Sequence, residues 1–333
     1  MYCFDRAAAL VLGGLPARRG AFVSRFYTRT SRAFSRSCSG ARAMATFPAQ
    51  KQESQPGVQH VMDPHPRTRR SDYKPSDKLK NKVALITGGD SGIGRAVAYF
   101  YSLEGASVAI TYVPGKEEKD AEEAIHMIKE AKTAHAKDPI MIPGDIGYDE
   151  NCKKIVDEVV KAYGRIDILV NNAAEQYRVQ KIEDLKPEQL ERVFRTNIFS
   201  HFYLSRYAVP HMKEGEGCII NTTSVNAYKG NKTLIDYTST KGAIVGFTRS
   251  LALNLVDRGI RVNGVAPGPV WAPLIPASSP EPQQTEHFGE QCPMGKAAQP
   301  DDIAPSYVFL ASEDAAFFTG QVLHPNGGMI VNA

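Results

Sequence analysis

Four tyrosine–lysine pairs separated by three residues occur in this chain: Tyr112/Lys116, Tyr177/Lys181, Tyr228/Lys232 and Tyr237/Lys241. Fourteen tyrosines should give about one such pair by chance, so the spacing alone selects nothing. Helix geometry does, because residues i and i+4 share a face only in a helix. Tyr112-Val-Pro-Gly-Lys116 and Tyr228-Lys-Gly-Asn-Lys232 contain helix breakers. Tyr177/Lys181 lies in a polar stretch with no partner chemistry nearby. Tyr237/Lys241 opens a long run of small and apolar residues that predicts a helix over 233–257. Positive charge beside the phenol would depress its pKa toward neutrality and make Tyr237 a general acid/base. Thirteen residues upstream, Asn221-Thr222-Thr223-Ser224 ends a predicted strand and brings Ser224 to the same sheet edge. A hydroxyl there can hydrogen-bond a substrate oxygen as negative charge develops; its other reading is a turn or capping residue.

The second chemical signal is Thr87-Gly88-Gly89-Asp90-Ser91-Gly92-Ile93-Gly94, directly after a predicted strand and opening a helix. Glycines there allow a tight turn and the close approach of a pyrophosphate, which the helix amino end favours with free N–H groups and partial positive charge. The spacing is TGxxxGxG rather than GxGxxG, and the strand–turn–helix context carries the reading. Asn197 stands out differently. It falls on the apolar stripe Leu190, Val193, Phe194, Leu204 of a helix predicted over 187–211, and a buried carboxamide needs partners. It is either a satisfied core amide or a polar group holding an ordered water.

The elements that must position these residues alternate. Strands are predicted at Val83–Thr87, Ser107–Tyr112, Ile140–Ile142, Ile166–Val170, Cys218–Thr222, Arg261–Ala266 and Gln321–Leu323, with helices near 92–104, 117–136, 150–163, 187–211, 233–257 and 301–312. That rhythm predicts an α/β fold: a single doubly wound, Rossmann-type parallel sheet of about seven strands with helices on both faces. The catalytic domain spans 81–333, and the Pro-rich stretch from Trp271 to Pro300 follows the sixth strand, where such folds bind ligands, so it reads as a substrate lid. Residues 44–80 carry Pro48, Pro56, Pro64, Pro66 and Pro75 and read as an extended arm lying on the surface. Residues 1–43 hold eight arginines against Asp5 alone, a net +7, so the formal +4 of the whole chain leaves −3 for the rest. The tail therefore has the composition of an organelle transit peptide, whereas the body shows no basic groove for nucleic acid. No apolar run is long enough to cross a membrane. The five cysteines lack CxxC spacing, which points away from a zinc site or disulfide framework and towards reduced thiols.

Taken together, residues 82–328 resemble the short-chain dehydrogenases/reductases. TGGDSGIG at 87–94, GDI at 144–146, NNAA at 171–174, Asn197, Ser224, Tyr237, Lys241 and PG at 267–268 appear in the family's order. The resemblance implies hydride transfer between NADP(H) or NAD(H) and a small carbonyl or alcohol. It implies Tyr237 as general acid/base, Lys241 gripping the nicotinamide ribose while lowering the phenol pKa with the cationic ring, Ser224 orienting the carbonyl, and Asn197 supporting a water relay. It also implies Gly88, Ser91, Gly92, Ile93 and Gly94 at the pyrophosphate, Asp145 and Ile146 at the adenine, Asn171 and Ala173 near the ribose, and Pro267, Gly268 and Val270 flanking the nicotinamide. The best likeness within the family is to plant and bacterial glucose and ribitol dehydrogenase homologs and aldehyde reductases. That implies aldehyde reduction or polyol oxidation, a plastid address (a mitochondrion or a cytosolic product from Met44 being alternatives), and a homotetramer. Other readings are a ketoacyl reductase acting on a carrier protein and a non-catalytic dinucleotide-binding scaffold. Three departures matter: NNAA for the usual NNAG, Ala272 for a usual Thr, and Thr111-Tyr112 where NAD-preferring relatives place an Asp. Without that carboxylate a 2′-phosphate meets no repulsion, and Lys116 is near enough in sequence to assist, so NADP(H) is the expected cofactor. The packing of Ser239, Gly242, Ala243 and Gly246 is left open: against a second subunit, or against the chain's own sheet.

Overall fold

The computed structural model describes residues 47–332. The arginine-rich tail read above as an address, and Met44, lie outside them.

Val83-Ala84-Leu85-Ile86 carries no polar side chain and is buried throughout, as a strand covered on both faces requires. It forms β1 (Val83–Ile86), followed by α1 (Gly92–Leu103), β2 (Ser107–Tyr112), α2 (Glu118–Ala131), β3 (Ile140–Pro143) and α3 (Asp149–Tyr163). Then come β4 (Ile168–Asn171), α4 (Pro187–Phe194), α5 (Ser200–Ala208), β5 (Cys218–Thr222), α6 (Asn226–Lys229) and α7 (Ile235–Leu255). The chain ends through β6 (Arg261–Val265), α8 (Leu274–Ser278), α9 (Pro300–Ala311) and β7 (Val322–Leu323). All seven strands pair in parallel, in the order β3-β2-β1-β4-β5-β6-β7. Successive side chains of a strand point to opposite faces. Ala84, Ile86 and Ile110 therefore pack with Phe100, Tyr101 and Tyr307 from α1 and α9, while Leu85, Leu169 and Ile219 pack with Val159, Leu204 and Ala252 from α3, α5 and α7. The direction of winding reverses between β1 and β4, which opens a crevice beyond their carboxyl ends.

The predicted helix over 187–211 is interrupted. Between α4 and α5 the backbone widens into a π turn over Arg195–Phe199, with Asn197 at its centre; such bulges concentrate at functional sites. The stripe that singled out Asn197 needs one correction, since Leu190 is exposed while Asn197 is fully buried.

The Pro-rich arm is not a surface linker. Phe47 stacks on Trp271 with ring centres 3.9 Å apart, and the Trp271 indole N–H donates to the Pro64 carbonyl at 2.9 Å. The amides of Gln50 and Gln52 donate to the carbonyls of Pro282 and Pro276, tying the arm to the lid. Farther along, the amides of Gln59 and His60 donate to the buried Asp120 carboxylate of α2, and Arg67 pairs with Asp301 at the start of α9. The arm thus straps the segment after β6 to the helices on one face of the sheet. Prolines and polar side chains carry no periodic pattern, so nothing local in the sequence signalled those contacts.

Candidate active site

The crevice is a cleft of about 540 Å³ lined from the glycine loop, the ends of β2, β4 and β5, the start of α7 and the lid. The loop fits a pyrophosphate. A Cβ on Gly94 would stand 2.0 Å from the Gly88 carbonyl oxygen, and Gly92 sits at φ +51°, so only glycine allows the turn to fold this tightly at the amino end of α1. The first amides of a helix have no partner within it. Here the Gly92 N–H is taken by the Gln59 side-chain oxygen of the arm at 2.8 Å, leaving its neighbours, such as Ile93, to meet an anion.

At the other end, α7 carries Tyr237 and Lys241 on its buried face, one turn apart. Lys241 Nζ donates to the Thr222 carbonyl at 2.9 Å and lies 5.3 Å from the centre of the Tyr237 ring. Burial draws the Lys241 ammonium down to about 7. Burial likewise pushes the Tyr237 phenol up to about 12, against a smaller lowering by its hydrogen bond with Ser224. Desolvation is thus the dominant influence on the phenol in the protein alone; the depression expected from sequence draws also on a bound cationic nicotinamide. Ser224 does two things at the end of β5. Its Oγ accepts from the Asn226 amide at 3.1 Å, starting α6, and its hydroxyl hydrogen remains available toward Tyr237 and the cleft.

Asn197 holds the site together from behind. Its Oδ1 accepts from the Glu175 amide at 2.8 Å, and its Nδ2 donates to the Glu175 carbonyl and to Thr240 Oγ1. The Glu175 carboxylate is gripped by Arg192, which also binds Asp145 at 2.6 Å. A single guanidinium thereby links the GDI segment, the NNAAE segment and α4. Among the described residues no cluster of His, Cys, Asp or Glu could hold a metal ion.

The sequence of residues 88–330 matches the family model described as "Enoyl-(Acyl carrier protein) reductase". The chain is 65% identical over 285 residues to "NADPH-dependent aldehyde reductase 1, chloroplastic" of Arabidopsis thaliana, covering 85% of this chain and 98% of that protein. It is 62% identical over 286 residues to "Glucose and ribitol dehydrogenase" of Daucus carota, covering 86% of this chain and 98% of the relative. Its fold superposes on a short-chain dehydrogenase from Burkholderia cenocepacia J2315 solved in complex with NADP, with a TM-score of 0.68 and 29% identity over 75% of this chain and 98% of that one. The chain belongs to the short-chain dehydrogenase/reductase family, a family of oxidoreductases.

The family's expected positions fall into place unevenly. Gly88, Ser91, Gly92, Ile93, Tyr112, Asp145, Ile146, Ala173, Ser224, Tyr237, Lys241, Pro267, Gly268 and Val270 all line the cleft. Gly94 does not line it, and instead packs beneath the loop. Asn171 does not line it either: it is buried within β4 and donates to Asn221 Oδ1 at 2.9 Å, while Asn172, the next residue, reaches the cleft. Lys116 is exposed and stands outside the cleft; Glu117 takes its place. Neither Asn197 nor its side chain lines the cleft; its carboxamide bonds protein groups at each end, so it braces the fold. Ala272 faces Gly92 with a methyl group.

Sequence reading missed Gln59, Pro56, Arg178, Arg192 and the acidic pair Asp90/Glu117. Asp90 and Glu117 are both buried at the β2 end of the cleft, each with one carboxyl oxygen lacking a partner among the described residues. Burial pushes both carboxyls above the ordinary carboxylate range. No spacing rule would have found these groups, because their meeting depends on how α1 and α2 pack.

Proposed function

We propose that the protein is an NADP(H)-dependent reductase of small aldehydes and related carbonyls, and in reverse a dehydrogenase of alcohols or polyols. One observation carries this reading: Tyr237, Lys241 and Ser224 converge on the cleft whose far end is the glycine loop. Bound NADPH would supply hydride to the carbonyl carbon. The protein's own groups do the rest. The Tyr237 phenol, held protonated by burial, donates its proton to the carbonyl oxygen as negative charge develops there. Ser224 donates a hydrogen bond to the same oxygen and fixes its distance from the phenol. Lys241 stands between Tyr237 and the Thr222 carbonyl, where it can hold a ribose hydroxyl and return a proton to the phenol. Asn197 keeps the π turn and the Glu175 loop in register with Thr240 of α7.

Two features support the phosphorylated cofactor. The end of β2, Thr111-Tyr112, offers no carboxylate, and burial first, with neighbouring acids, raises the Glu117 carboxyl well above the ordinary carboxylate range, which weakens its opposition to a 2′-phosphate. The names of the relatives, one NADPH-dependent and one a sugar and polyol dehydrogenase, agree with this substrate class. The deciding measurement is a panel of aldehydes, ketones and polyols assayed with NADPH and NADH. NADPH should give the higher kcat/KM, and Tyr112→Asp should shift preference toward NADH. A tenfold preference of wild type for NADH overturns the cofactor reading, and no turnover with either cofactor overturns the activity.

We propose three segments: a tail at 1–43, an arm at 44–80 and a catalytic domain at 81–333 with a substrate lid at 271–300. We also propose a homotetramer. Ser239, Gly242, Ala243 and Gly246 face away from the chain's own sheet, and added Cβ atoms at the two glycines would meet nothing. Leu253, Phe202 and Val256 are exposed on the same pair of helices or just beyond, forming an apolar face that a second copy would cover. Light scattering should report four subunits, and Leu253→Glu should lower the mass. Tail composition and the chloroplastic relative support a plastid address. A fluorescent fusion of the full chain should enter plastids, and one starting at Met44 should stay in the cytosol; identical distributions would remove the address.

A further inference from the structure

We infer that the substrate carries an anionic group, a carboxylate or a phosphate, a few carbons from its reacting carbonyl, and that Arg178 binds it. Arg178 lines the cleft beyond β4 and is half-buried. Its Nε–H donates to the Ser278 carbonyl of the lid at 3.1 Å, and one terminal N–H donates to Thr233 Oγ1 at 3.2 Å. The Val179 amide donates to the Thr233 carbonyl at 2.9 Å, which fixes the backbone beside it. A guanidinium has five N–H donors in a rigid fork, so three remain without a partner among the described residues.

Charge makes the case specific. Four carboxylates line the cleft, and none is available to Arg178. Asp90 and Glu117 lie at the β2 end, while Asp145 and Glu175 are both held by Arg192. No carboxylate among the described residues pairs with Arg178, and burial alone lowers its pKa. Lys229 lines the same cleft without a carboxylate partner among the described residues. A half-buried cation with unused donors is costly unless a ligand completes it, and the planar fork matches a carboxylate or phosphate bidentately. Position fixes the class further. Thr233 lies just before α7 begins at Ile235, four residues ahead of Tyr237, so at most ~14 Å of extended backbone separates the two and a short substrate can bridge phenol and guanidinium. The lid supplies one anchor of Arg178 and the lead-in to α7 supplies the other, so an anion bound there would join the lid to the catalytic helix. The subsite adds no chemical step to the reduction.

This inference rests on the reductase reading, and the test separates the two. The probes are matched aldehydes: 4-oxobutanoate against butanal, and glyceraldehyde 3-phosphate against glyceraldehyde. Wild type should favour one or both anionic members by ~10-fold or more in kcat/KM, as expected for charge-assisted hydrogen bonds. Whichever anionic member is favoured identifies the anion. Arg178→Gln should remove that preference, mainly through KM, while the neutral aldehydes stay within about threefold; Arg178→Lys should restore part of it. In parallel, succinate should bind the NADPH-saturated protein by calorimetry, with an affinity at least ~10-fold weaker in Arg178→Gln. Arg178-dependent succinate binding without turnover of any carbonyl would leave the subsite standing and remove the reductase reading. Equal turnover of neutral and anionic aldehydes by wild type, or equal losses for both in Arg178→Gln, would reduce Arg178 to a fold-bracing residue and overturn the inference.

Discussion

Tyr237→Phe is expected to lower turnover by at least ~100-fold in both directions while NADPH affinity stays within about threefold, because only proton transfer is lost. The expectation follows from what surrounds the phenol. Tyr237 is buried, Ser224 stands within hydrogen-bonding reach of its hydroxyl, and burial holds it up to about 12. At neutral pH the free protein therefore keeps the protonated form, which is the form that donates to a carbonyl oxygen. Alcohol oxidation needs the opposite form, so its rate should climb as pH rises from 7 toward 10, while carbonyl reduction should not. The same substitution should abolish that alkaline rise. Phe leaves the ring packing and the Lys241 contact with Thr222 in place, so a loss of folding does not explain a loss of rate; circular dichroism and melting of the variant check this. Retained activity in a pure, folded Tyr237→Phe preparation would remove Tyr237 as the acid/base and revive the scaffold reading.

The parts legible in sequence are those set by local physics. Every predicted strand formed, to within two residues at each end, because fully buried parallel strands are written as short apolar runs between turn signals. Tyr237/Lys241 was separable from three decoys because helix breakers were visible in two of them and the third lay in a polar stretch. The differences between sequence and structure came from one-residue ambiguities and from long-range packing. Asn171 and Asn172 differ only in which side of the last strand position they face, and a pattern of two asparagines does not say which reaches the cleft. Lys116 and Glu117 present the same problem after β2. Leu190 sat on an assumed 3.6-residue stripe running to Leu204, but the π turn at 195–199 breaks that continuity, and Leu190, in the regular turns before it, is exposed. Asp90, Glu117 and Arg178 acquire meaning only once elements distant in sequence surround them. Arg178 in particular carries no sequence signal, and only Thr233 and Ser278, distant in sequence, hold it at the cleft.

The arm is the largest of those long-range effects, and removing it should be as damaging as removing the acid/base. Deleting 47–66 should cost NADPH affinity by ~100-fold or more, or prevent folding, whereas deleting 1–43 should change neither. The contrast is sharp because the two segments are adjacent in sequence and similarly unpatterned. The arm covers Trp271, which is fully buried and is the chain's single tryptophan; without Phe47 and the Pro64 carbonyl, that indole loses its stacking partner and its acceptor. Gln59 satisfies the Gly92 amide inside the glycine loop, and an orphaned buried donor costs about 1–3 kcal/mol. Because deletion confounds binding with folding, the double variant Phe47→Ala/Gln59→Ala gives the finer reading. It should lose roughly 2–4 kcal/mol of stability, from the aromatic truncation and the unpartnered amide together. Trp271 emission should shift to longer wavelength, hydrogen exchange across 88–95 should accelerate in the cofactor-free protein, and NADPH should bind about tenfold more weakly. Gly92 is the link between these readouts, since its amide is held by the arm while its neighbours face the cleft. Unchanged Trp271 emission together with unchanged exchange at 88–95 would show that the arm only lies against the cleft and does not shape it.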